Sequence, residues 1–102
     1  MKYLKNKTIY KEFAKIGFKS CRNDNINSLL HCSGSASQHL FVSIPSESER
    51  GNIKCDDARW KEGSNVHIVS YWSYPKDMKS LLKTIEGIKK VYSELCGIRF
   101  NN

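Results

Sequence analysis

The chain predicts an α+β fold: a short N-terminal helix, a small, mostly antiparallel sheet of about three to five strands, and a long C-terminal amphipathic helix packed on one face. Three observations carry this reading. Apolar residues recur at helical spacing near both ends of the chain, and short β-branched and aromatic runs bounded by turn formers fill the middle. A length of 102 residues with a 39% hydrophobic share supports one modest core, so residues 1–102 are read as a single domain.

The first helix is read from Thr8, a fair N-cap, with Ile9, Phe13 and Ile16 on one face and Lys11 and Lys15 on the other. Gly17 stands in the C′ position that ends such a helix. At about nine residues it is too short to be stable alone, so its Ile/Phe face must dock.

Strand patterns follow at residues 18–22, 28–32 and 39–44. Ser33 to Gln38 is small and polar, as a hairpin loop requires, and Pro45, lacking an N–H, closes the third strand. A loop of that length would set Cys32 opposite His39 and His31 opposite Leu40, with His31 and His39 on opposite faces. Pro45 to Asn65 is polar and suggests only a weak edge strand at Asn52 to Cys55. Val66 to Trp72 is the clearest strand, apolar on both faces, which predicts a central place in the sheet.

Met78, Leu81, Leu82, Ile85, Ile88, Val91, Tyr92 and Leu95 fill one half of a helical wheel. Ser73 is the expected cap, Pro75 and Asp77 suit the first turn, and Gly97 ends the helix. Lys76, Lys83 and Lys90 recur on the outer face, with Glu86 four residues before Lys90. The chain shows no internal repeat, low-complexity tract or linker.

Charge is distributed unevenly. The first 22 residues hold seven cations and one anion, which is +6 of the chain's formal +7. Residues 23–75 sum to −2 and residues 76–102 to +3, so the protein has a positive end suited to an acidic partner. The candidate partner-binding residues are Lys5, Lys7, Lys11, Lys15, Lys19 and Arg22, together with Trp60, which sits between Arg59 and Lys61. Thirteen Lys against four Arg argues against sequence-specific DNA reading, because the bidentate fork belongs to Arg. No apolar run approaches the roughly 18 residues needed to cross a bilayer, and the polar start is no secretory signal, so no membrane partner and a cytoplasmic location are expected.

Nothing in the sequence has the spacing of a catalytic, cofactor or metal motif. Cys21, Cys32, Cys55 and Cys96 form no Cys-x-x-Cys pair and read as buried free thiols. Cys55, beside Asp56 and Asp57, should have a raised rather than a lowered pKa, and two adjacent aspartates make no metal cage. His67 on its strand could join His31 or His39 in acid/base phosphodiester chemistry. The stretch Gly34-Ser-Ala-Ser is too short and too poor in glycine for a phosphate loop.

Two partial likenesses bear on function. The order helix, strands, helix resembles the double-stranded-RNA-binding architecture, without its motif. Phe13 to Phe18 (Phe-Ala-Lys-Ile-Gly-Phe), Arg22, Gly34-Ser35 and His39 to Pro45 resemble the helix, Gly-Phe turn and Gly-Ser-His strand of HicA-type ribonuclease toxins, over less than half the chain. In that family the histidine directly follows Gly-Ser, whereas Ala36, Ser37 and Gln38 intervene here, and a long extra stretch separates Pro45 from the last helix. The likeness therefore assigns no family.

The sequence reading is thus of a small, basic, non-enzymatic protein with no cofactor or metal. Its expected role is docking on an acidic protein, in the manner of a toxin-neutralising immunity protein or another inhibitor of a microbial effector. The alternatives are an RNA-binding module and a small histidine-dependent ribonuclease.

Overall fold

The computed structural model describes residues 3–23, 27–33, 38–48, 50–59, 67–96, 98 and 100, and for 21–23, 27–33, 38, 58, 59, 67, 95 and 96 the backbone alone. The elements run α1 (Asn6–Lys15), β1 (Lys19–Asn23), β2 (Asn27–Ser33), β3 (Gln38–Pro45), β4 (Ile53–Arg59), β5 (His67–Trp72) and α2 (Met78–Cys96). The five strands form one antiparallel meander in sequence order. The fold is α+β, as the pattern of elements predicts.

Both helices lie on one side of the sheet. Strand alternation sends Leu40, Val42 and Ile44 of β3, with Ile53 and Cys55 of β4, into a single core with Ile9, Phe13 and Ile16 of the α1 segment and Leu81, Ile85, Ile88 and Tyr92 of α2. The residues of opposite parity face away from the helices, and Lys54, Val69 and Tyr71 are exposed there.

α1 ends as its sequence suggests. Gly17 takes a φ of 108°, its N–H reaches the Ala14 carbonyl, and the Phe18 N–H reaches the Phe13 carbonyl. This is a Schellman close, sealed by the Phe13 and Phe18 rings meeting edge to face at 5.2 Å. The start differs from the expected Thr8 cap. The helix opens three residues earlier with Lys5 at the N-cap and no side-chain cap. The Asn6 N–H is instead taken by the Glu47 carboxylate at 2.8 Å, an anion supplied from the turn after β3. Tyr74 holds the same end, its hydroxyl 2.8 Å from the Leu4 carbonyl and 2.6 Å from Asn6 Oδ1.

α2 is capped by Asp77, not Ser73: Oδ1 accepts the Ser80 N–H at 2.8 Å and the Asp77 carbonyl accepts the Leu81 N–H. That hydrogen bond holds the exposed carboxylate below its usual pKa, with nearby lysines adding a smaller effect. The buried stripe of α2 is narrower than the sequence pattern. Leu81, Ile85, Ile88 and Tyr92 are buried, whereas Met78 and Leu82 are 41% and 46% exposed, because one sheet face covers only the central strip of the helix. Glu86 pairs with Lys89 at 3.6 Å. Gly97 and residues 60–66 lie outside the described residues; beyond the helix, Ile98 returns to the core and its N–H meets the Tyr92 carbonyl.

Three further expectations are corrected. The strand rich in apolar residues, β5, is an edge of the sheet, not its centre. Its inner parity (Ile68, Ser70, Trp72) serves the helix side and its outer parity (Val69, Tyr71) is uncovered, so apolar character on both faces does not signal burial on both. The segment read as a weak edge is instead interior strand β4, its polar residues Lys54 and Asp56 facing out and Ile53 and Cys55 facing in. In the hairpin, Cys32 pairs with Leu40 and His31 with Phe41, one residue away from the expected register. Both strands extend into the expected loop, through Ser33 and from Gln38, and the one-residue shift changes which positions share a face.

α2 is fastened by a polar node set in the apolar layer. The Tyr92 hydroxyl lies 3.2 Å from the carbonyls of Cys55 and Ile68 and 2.8 Å from Ser70 Oγ, and Trp72 Nε1 donates to Ser70 Oγ at 2.9 Å. One buried phenol thereby ties α2 to β4 and β5 together. Beside it the Trp72 ring lies so close to α2 that a Cβ at Gly87 would stand 2.8 Å from the indole, so only glycine allows this approach.

Two outcomes follow. Gly87→Ala should lower unfolding free energy by about 1–3 kcal/mol through overpacking, and Tyr92→Phe by about 1–3 kcal/mol by leaving buried polar groups without their partner. Equilibrium denaturation checks both; losses within experimental error would show that α2 is not fixed at this point.

Candidate functional site

The cations predicted from sequence divide between two adjoining surfaces. Lys5, Lys7, Lys11 and Lys15 are exposed along α1, and Lys19 is exposed at the start of β1. Lys15 pairs with Glu12 at 2.7 Å, and Glu12 is itself largely buried. Lys5, Lys7, Lys11 and Lys19 make no ion pair with any described residue. The Gly17–Phe18 turn joins α1 directly to β1, so the lysines run from the helix layer onto the edge of the sheet.

The pairing register extends this side across the uncovered sheet face. One row of partners runs Lys19, His31, Phe41, Asp56, Val69. The next runs Arg22, Leu29, Ser43, Lys54, Tyr71, and a third joins Ser33, His39, Ala58 and His67. A bulge between Ser20 and Arg22 shifts β1 by one residue, which returns position 22 to the same rows as Lys19 instead of the core parity. The face thus carries three basic positions, Lys19, Arg22 and Lys54, against one acidic position, Asp56. Phe41 is partly buried and Tyr71 is 62% exposed.

The corrected register also changes the histidines. Positions 31 and 39 belong to the same parity, not to opposite faces, and 39 and 67 fall in one row separated by Ala58. All three histidine positions therefore map to the uncovered side of the sheet. Trp60, the remaining candidate, lies outside the described residues.

Lys54 and Phe41 are not among the residues that the sequence singles out as surface candidates. The signal was present for Lys54 and Asp56, whose alternation with Ile53, Cys55 and buried Asp57 marks a half-buried strand. Asp56 and Asp57 point to opposite faces and cannot share one cation. Among the described residues no group of His, Cys, Asp and Glu is arranged to hold a metal ion, and no helix is long and apolar enough to cross a membrane.

Cys55 is buried and free, and its thiol is pushed up to about 12. Burial is the dominant cause, opposed by hydrogen bonds from Ser70 and Trp72, so the direction expected from sequence arises from desolvation. A neutral, enclosed thiol is chemically inert. Tyr74 is likewise pushed up to about 12, by burial first and then by Glu47 and Tyr10.

Comparison of the chain with family models, with curated proteins and with solved structures finds no match in any of the three. The surface must therefore be interpreted from its own chemistry.

The Cys55 shift has a definite sign. The unfolded thiol ionises near 9.0 and the folded one near 12, so the stabilisation is complete below pH 9 and is lost as pH rises from 9 toward 12. Stability of the wild type should decline more steeply over that window than that of Cys55→Ala, as urea midpoints at successive pH values will show. Equal slopes would contradict the buried neutral thiol.

Proposed function

We propose that this protein is a small, non-enzymatic binding protein that docks on an acidic protein through its basic side, the α1 lysines continued by Lys19 and Arg22 at the β1 edge. The observation that carries the reading is the state of those lysines. Lys5, Lys7, Lys11 and Lys19 are exposed and engaged in no ion pair with a described residue, so their charge remains available to a partner. A role as a toxin-neutralising immunity protein, or as another inhibitor of a microbial effector, is the form of this proposal suited to a small basic domain. A cytoplasmic location accords with it.

A second reading has its own support. The uncovered face sets Phe41 and Tyr71 among Lys19, Arg22 and Lys54 in adjoining rows, and aromatic rings on a sheet flanked by cations are the chemistry of a single-stranded RNA platform. Histidine-dependent cleavage of RNA is its catalytic extension, favoured only by the shared face of the histidine positions.

The test pairs a recovery experiment with a charge reversal. Lys7→Glu/Lys11→Glu is the suitable variant, because Lys15 supports the buried Glu12 and its reversal would perturb the fold. Tagged protein is used to recover partners at low salt from its own cells, with and without nuclease. An acidic protein retained after nuclease, whose association rate with the double variant falls by about tenfold or more while dissociation changes little, is the expected result. Recovery of nucleic acid alone, lost with nuclease, would replace the first reading with the second.

A further inference from the structure

The two edges of the sheet are built differently. β1 is interrupted by the bulge between Ser20 and Arg22 and carries Lys19 and Arg22, both of which discourage another strand from adding to it. β5, His67–Trp72, pairs with β4 through all six residues without a bulge. It contains no Lys, Arg, Asp, Glu, Pro or Gly. As the last strand of the order it presents one row of N–H and C=O groups outward, and its residues Val69 and Tyr71 are 42% and 62% exposed.

We propose that β5 is a homodimer interface, pairing antiparallel with β5 of a second copy about a twofold axis at Ser70. An axis perpendicular to the sheet keeps the helices of both copies on one side, so residues of equal parity must meet. Centred on Ser70, this register sets Val69 of each copy against Tyr71 of the other on the uncovered face. On the helix side it sets Ile68 of each copy against Trp72 of the other. Each exposed apolar side chain of β5 thus gains a cross-strand apolar neighbour. Charge selects the same line of approach. With a formal net charge of +7, two copies repel where lysines face each other, and of the two edge strands β5 is the one that contains no Lys, Arg, Asp or Glu. The result is a ten-stranded sheet with the basic β1 edges at its two far ends.

This assembly has a salt signature opposite to that of acidic-partner docking. Screening reduces repulsion between like-charged copies, so dimerisation strengthens as salt rises, whereas docking on an acidic protein weakens. The two proposals can therefore fail separately. Sedimentation and light scattering from about 10 μM to about 500 μM should show the mass of the wild type rise from that of one chain to that of two, more completely at high salt. Val69→Lys, on the exposed outer parity, should remain monomeric with an unchanged circular dichroism spectrum. A wild type that stays monomeric throughout overturns the proposal, as does a Val69→Lys variant that still dimerises. Amide hydrogen exchange of the wild type gives an independent reading: β5 amides should slow several-fold with rising concentration, and exchange rates in β5 that do not depend on concentration would also contradict the interface.

Discussion

The contact between α2 and the last two strands governs the rest of the architecture. Tyr92 places one hydroxyl within reach of Ser70 and of carbonyls on both β4 and β5, and Trp72 closes over the helix where Gly87 leaves room for the ring. Such a node is costly if any member is removed, because the interior offers no water to replace the missing partner. It fixes the long helix over one side of the sheet at β4 and β5. α1 completes that layer, its N-terminus held at the Pro45 carbonyl by Asn6 and its C-terminus closed by the Phe13–Phe18 pair. Two helices on one face leave the other uncovered, and the Lys19, Arg22 and Lys54 positions fall on that uncovered face.

Electrostatics adds a second asymmetry, at right angles to the first. The α1 lysines pass through a tight turn to Lys19 and the Arg22 position, so the cations extend from the helix layer to one edge strand, while the other edge strand, β5, contains no Lys, Arg, Asp or Glu. Under the docking proposed above, long-range attraction from this side would set how often an acidic partner arrives. The thiol that burial does perturb, Cys55, lies in the core, where its raised pKa makes it a neutral packing element.

Much of the fold was legible from the sequence because both helices announce themselves by periodicity and α1 by its Gly17 stop. The misplacements share a physical origin: pattern within one strand does not report what lies beside it. β5 looked central because Val69 and Tyr71 are apolar, yet those two residues are uncovered. β4 looked marginal because Lys54, Asp56 and Asp57 are polar, yet it is bonded on both sides. The hairpin register depended on how far Ser33 and Gln38 continue their strands, a property of pairing that composition does not encode. The start of α1 shifted for the same reason, since Glu47 reaches it from 41 residues away. Of the candidate surface, the α1 lysines were legible, whereas the sharing of one face by Lys19, Arg22 and Lys54 required the bulge and the register.

The most direct measurement of the central claim is an amide chemical-shift titration of the isotopically labelled protein with polyglutamate at low salt, repeated with added salt. The account predicts that perturbations gather on α1 and β1, from Lys5 to Arg22, that they fade as salt rises, and that β5 amides stay silent. Perturbations centred on α2 or β5, or none at all, would contradict a docking surface at the basic side.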